Sequence, residues 1–158
     1  MSKIYYGKEA VQRVKEIYGS QITDSMVPII MEEGFADGMY LDTKGIPTYG
    51  VGQTARYTSL PFPEVFDRKL KQLKNVVRDY DSLPNNVKDA LMIAHYRGDW
   101  FNSPQTARLF SLGKYAEAAK EFLDNDEYRR AAIYGPMGLK KRFERVAKAL
   151  ASMEEKER

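Results

Sequence analysis

The stretch Glu33-Gly34-Phe35-Ala36-Asp37-Gly38-Met39-Tyr40-Leu41-Asp42-Thr43-Lys44-Gly45-Ile46-Pro47-Thr48-Tyr49-Gly50-Val51-Gly52 decides how this chain is read. It opens where an apolar helical segment closes: Ile29, Ile30 and Glu33 precede Gly34, which stops the helix. Two strand-like runs follow, Met39-Tyr40-Leu41 and Thr48-Tyr49. They are joined through Thr43-Lys44-Gly45, where Gly45 takes the positive φ of a tight turn. Pro47 restricts the second run to a short or edge strand. The spacing places a Glu at a helix end and an Asp and a Thr on the rim of one hairpin. Glycoside hydrolysis needs a carboxylic acid to protonate the leaving oxygen and a second group to stabilise charge or hold water. Glu33 suits the first task, Asp42 the second, and Thr48 places a hydroxyl beside the same water.

Working outward, residues 8–18 read as a helix with Val11, Val14 and Tyr18 on one face and Gly19 as its stop. Thr23 or Asp24 caps the next helix, which tolerates Pro28 in its first turn. After Pro61 and Pro63, the residues Phe66, Leu70, Leu73, Val77 and Tyr80 recur at helical spacing and predict a long amphipathic helix over 63–80. Val87, Leu91 and Ala94 continue a helix to Gly98, and Ser103-Pro104 opens another that runs to Gly113. Tyr115 to Phe122, residues 126–132, and Leu139 to Met153 complete the helical set. The expected architecture is α+β within a single domain over 1–158. Residues 1–22 form an N-terminal helical extension and 23–62 a small lobe with the hairpin. Residues 63–80 form a connecting helix, and 81–158 a helical lobe.

The 158 residues carry a formal net charge of +3 and no cysteine. That excludes a disulfide framework and a thiolate metal site. The mild positive excess favours approach to an anionic polymer and falls short of a nucleic-acid-binding patch. Met1 to Tyr18 lacks the apolar core of a secretory signal. The apolar run Met26–Met31 is far too short to span a bilayer, so no stable membrane insertion is expected. His95 is the only histidine, and nothing pairs with it at ligand spacing, so neither metal nor cofactor is expected.

The spacing E-x8-D-x5-T, followed by Gly50-x-Gly52, resembles the active-site segment of the phage-type (T4-like) lysozyme family. Tyr80-Asp81-Ser82-Leu83, Arg97-Gly98, Lys114-Tyr115-Ala116-Glu117-Ala118-Ala119 and Gly138-Leu139-x-x-Arg142 are similar to corresponding places in that family. The resemblance implies a lysozyme-like fold and a muramidase, cleaving the β-1,4 bond between N-acetylmuramic acid and N-acetylglucosamine with inversion. It further implies Glu33 as acid, with Asp42 and Thr48 placing the water. Tyr40, Gly52, Gln53 (where relatives often carry His), His95 and Trp100 are expected at the substrate, and Arg142 with Glu32 as a supporting ion pair. The expected partner is bacterial peptidoglycan, reached from the host cytoplasm through a holin-type pore or carried by the virion, with the enzyme a monomer.

Each of these residues also has a plain structural explanation. Glu33 alone is a helix-end carboxylate, Asp42 a turn cap and Thr48 a strand former; only the combination is specific. Two other functions share the fold. A glycan-binding or virion-assembly protein would not need all three groups. A lytic transglycosylase would need the acid and no water-holding pair.

Overall fold

The structure, a computed structural model, describes residues 3–156. Its elements in chain order are β1 (Ile4–Tyr5), α1 (Gly7–Tyr18), α2 (Val27–Glu33), β2 (Phe35–Leu41), β3 (Pro47–Gly50) and α3 (Phe62–Val76). There follow α4 (Asn85–Arg97), α5 (Pro104–Ser111), α6 (Tyr115–Leu123), α7 (Asp126–Tyr134) and α8 (Met137–Lys156). This is the expected α+β architecture, a small antiparallel sheet near the N-terminus and helices beyond it. The chain divides into two compact units, with the boundary inside α3 between Lys71 and Gln72.

In the first unit, α1 and α2 pack through Ala10 and Val14 on one side and Ile29 and Ile30 on the other, all four buried. The spacing i, i+4 on α1 is what brings Ala10 and Val14 onto one face. Pro28 sits in the first turn of α2, and the turn ahead of it, Asp24–Met26, is 3-10. Thr23 is extended but makes no side-chain cap bond, so the helix begins later than its sequence signal.

Gly34 ends α2 at φ 71°, with its N–H donating to the Ile30 carbonyl at 2.8 Å. A Cβ there would lie 2.9 Å from the Tyr5 carbonyl oxygen. Glycine therefore turns the chain and lets β1 pass close by. β1 is the one strand not expected from sequence, since two residues carry no readable alternation. It pairs with β2 through Ile4–Ala36 and Tyr5–Phe35, making a three-stranded antiparallel sheet in the order β1-β2-β3. Between the Ala36–Gly50 and Tyr40–Thr48 pairs, three residues of β2 oppose one of β3. This bulge bends and twists the hairpin toward its tip.

α3 buries Phe62, Val65, Phe66 and Leu73. The helix expected to reach residue 80 stops at Val76, because Asp79 adopts a left-handed φ of 57° and a 3-10 turn follows at Tyr80–Ser82.

In the second unit, α8 packs on α4, α6 and α7. α4 is buried on most sides, through Val87, Ala90, Leu91, Met92, Ala94, His95 and Tyr96, as befits a central helix. Ala118 and Ala119 keep α6 slim where it meets α8, and Phe122 packs on Phe143 with ring centroids 5.3 Å apart. Asn125 caps α7, its side-chain oxygen accepting from the Tyr128 N–H at 2.7 Å. No described helix is long and apolar enough to cross a membrane.

Phe122 is 1% exposed at this helix junction. Phe122→Ala should lower unfolding free energy by about 3–5 kcal/mol, measured by urea denaturation monitored through helical circular dichroism.

Candidate active site

Glu33 is the last residue of α2 and is half-buried. Its carboxyl group lies against the backbone of Gly52, which holds φ 57°. A Cβ at position 52 would sit 2.9 Å from Glu33 Oε2 and 3.1 Å from its Cδ. The positive φ favours glycine there, and the hairpin's exit loop runs close against the glutamate. Tyr40 on β2 is the common neighbour. Its phenol is pushed above the ordinary tyrosine value chiefly by burial, then by the negative charges of Glu33, Tyr6 and Asp42. Both carboxylates thus lie within electrostatic reach of one hydroxyl.

Asp42 closes the hairpin. Its Oδ1 accepts from the Lys44 and Ile46 N–H groups, each at 2.8 Å. The backbone completes the turn, Asp42 N–H to the Ile46 carbonyl at 3.0 Å and Gly45 N–H to the Asp42 carbonyl at 2.9 Å. The turn-capping role is therefore present, carried by one of the two oxygens. Oδ1 is anchored, and Oδ2 accepts no hydrogen bond among the described residues. Thr48 stands opposite Tyr40 in the β2–β3 register and is buried. Its hydroxyl donates to the Ile46 carbonyl at 2.9 Å, which fixes the rotor and leaves its lone pairs as acceptors.

The loop after β3 is held by Gln53, which is 3% exposed. Tyr49 and Gln53 exchange backbone hydrogen bonds of 2.8 and 2.7 Å. The Gln53 amide nitrogen donates to the carbonyls of Tyr57 and Leu60, both at 2.8 Å, and its oxygen accepts from the Val51 N–H at 3.3 Å. The side chain is committed to shaping the loop that carries Gly52.

Sequence reading passed over Lys69, Tyr57 and Arg56. Lys69 falls on the buried stripe of α3, four residues after Val65 and four before Leu73, and is half-buried. Its ammonium lies 4.8 Å from the centre of the Tyr57 ring, with Arg56 over the same ring at 5.0 Å. Arg56 also donates to the Tyr57 hydroxyl at 3.0 Å. Burial lowers the Lys69 pKa; the Tyr57 and Glu33 charges oppose that, and Arg56 adds to it. The signal in the sequence was a lysine on an apolar helical face, where a solvated charge does not belong.

The remaining expected residues are placed as follows. Glu32 is half-buried on α2, next to the acid position. His95, Trp100 and Arg142 lie in the second unit. His95 is 4% exposed and packs edge-on to Phe101, with centroids 4.6 Å apart. Trp100 is 2% exposed and meets Phe110 edge-on, so within that aromatic pair Phe101 is the exposed member. Arg142 is buried on α8 and donates to the Ile93 carbonyl at 3.0 Å. No described cluster of His, Asp and Glu has the makings of a metal site.

Among solved structures, the crystal structure of the active form of the P1 phage endolysin Lyz is similar. The TM-score is 0.59 over 90% of this chain and 92% of that one, at 13% sequence identity. At that identity the likeness is one of fold. No family model and no curated protein matches the chain.

Removing the Gln53 amide strands two loop carbonyls and one N–H. Gln53→Ala should cost on the order of 2 kcal/mol in thermal or urea unfolding. Gln53→Glu, which keeps the size but replaces a donor by an acceptor, should be no better tolerated. Lys69 gives a pH signature. Its folded pKa lies below the unfolded value, so between them the unfolded chain binds more protons and this group's contribution to stability rises with pH. The stability of wild type relative to Lys69→Met should therefore increase as pH rises toward the ordinary lysine pKa, as read from urea midpoints.

Proposed function

We propose that the chain is a peptidoglycan hydrolase, a muramidase cleaving the β-1,4 bond between N-acetylmuramic acid and N-acetylglucosamine. The observation that carries this reading is the Gly52 backbone set against the Glu33 carboxyl group, with the charges of Glu33 and Asp42 both acting on Tyr40. The likeness to the P1 phage endolysin supports it at the level of fold.

In this reading Glu33 donates a proton to the glycosidic oxygen as the bond breaks. Positive charge grows on the anomeric carbon, and the Asp42 carboxylate stabilises it. A water accepted by Asp42 Oδ2 and Thr48 Oγ1 keeps a lone pair directed at that carbon. Attack from the face opposite the leaving group inverts the anomeric centre. One proton of the water passes to Asp42, and the other stays on the new hydroxyl. A positioned acid contributes about 10²–10⁴ in rate, or about 3–5 kcal/mol of barrier. The setting proposed is phage-mediated wall degradation, the enzyme acting as a monomer on peptidoglycan after release through a holin-type pore or from the virion.

The test is turbidity loss and reducing-end release from purified Gram-negative peptidoglycan. Wild type should clear the suspension; Glu33→Gln, with an unchanged circular dichroism spectrum, should fall at least about 10²-fold. No clearing by wild type would favour a binding or assembly role. Products with 1,6-anhydro ends would identify a lytic transglycosylase, and proton NMR of the fresh product should show the α-anomer if inversion holds. Gly52→Ala places a methyl group against the acid, so activity should fall about 10²-fold, as for a small misplacement of a reacting group.

A further inference from the structure

We propose that Arg56, Tyr57 and Lys69 form a cationic aromatic subsite beside Glu33 that takes a carboxylate of the peptide stem borne by N-acetylmuramic acid. The inference rests on the muramidase reading and specifies what lies next to the scissile bond.

Two cations share one ring, Arg56 at 5.0 Å and Lys69 at 4.8 Å from its centre. They are close enough that Arg56 disfavours the charged form of Lys69. Two cations on one ring attract an incoming anion more strongly than either would alone. Arg56 is exposed and belongs to no ion pair among the described residues; its side chain contacts Tyr57. Lys69 is half-buried, and a desolvated ammonium binds an anion more strongly than a hydrated one. The cluster is tied to the acid through the chain itself. Gln53 holds the Tyr57 carbonyl at 2.8 Å, and one residue before Gln53 the Gly52 backbone rests against Glu33. The negative charge of Glu33 also acts on Lys69. A ligand carboxylate in this subsite therefore lies within electrostatic reach of the acid.

The glycan offers such a group. N-acetylglucosamine is neutral, whereas N-acetylmuramic acid carries a lactyl ether amide-linked to a short peptide with free carboxylates. An anion-binding pair beside the acid would read which sugar occupies the cleavage position, through the substituent that distinguishes the two. Tyr57 adds an apolar face on which the peptide can lie.

The experiment is isothermal titration of a soluble disaccharide-peptide fragment, with its stem carboxylates either free or amidated. Wild type should bind the free-acid form about tenfold more tightly, as expected for one charge-assisted contact. Arg56→Gln and Lys69→Met should each lose most of that preference and bind the two ligands alike. Equal binding of both ligands by wild type, or full preference retained in both variants, overturns the subsite. Arg56 lies on the surface outside the core, so Arg56→Gln decides the matter even where Lys69→Met fails to fold. Binding is scored without turnover: a wild type that binds selectively yet cuts nothing sinks the hydrolase reading and leaves the subsite standing.

Discussion

The turn at Gly34 is the constraint on which the first unit is built. One residue ends α2, reverses the chain into β2, and leaves room for the Tyr5 carbonyl where any side chain would collide. Three consequences descend from it. Glu33 is held at a helix terminus, its backbone fixed by the helix. β1 gains an edge to pair with, which joins the N-terminal segment to the sheet. The bulged β2 then carries Tyr40 and Asp42 back toward the helix end. A bulkier residue at position 34 would disturb the helix stop, the strand pairing and the acid together.

A second principle is the use of backbone groups to shape the chemistry. Asp42 holds two N–H groups of its own turn, Thr48 donates to a carbonyl two residues back, and Gln53 pins two carbonyls and an N–H. Few of these bonds span long sequence distances. The hairpin and its exit loop therefore assemble from local contacts. Preorganisation of this kind removes reorganisation from the reaction itself.

Much of this was legible in the sequence, for identifiable reasons. Helices announced themselves through apolar spacing and glycine stops, as at Gly19, Gly34 and Gly98, all of which cap helices with positive φ. The hairpin was legible because Gly45 and Pro47 restrict the backbone directly. What was not legible depended on distant partners. β1 has two residues and exists only because β2 lies beside it. The end of α3 was overestimated because the apolar spacing continues through Val77 and Tyr80, while the left-handed Asp79 breaks the helix beneath that pattern. Around the hairpin, the placement of Glu33 at a helix end and of Asp42 at the turn was recoverable from spacing. Lys69 was masked by its helix, since its importance comes from Tyr57 and Arg56 on a separate loop.

The division of labour within Asp42 bears on how chains of this fold diverge. A residue that holds a turn with one oxygen, and in the proposed reaction would serve chemistry with the other, answers to two independent demands. A descendant that lost turnover would still need its aspartate to close the hairpin, and its Thr48 to satisfy the Ile46 carbonyl. Persistence of those two positions is thus a record of architecture as much as of catalysis. The acid position at the end of α2 is under a different kind of selection. On the proposed reading, its drift across lineages would mark the passage from enzyme to binding protein while the hairpin kept its shape.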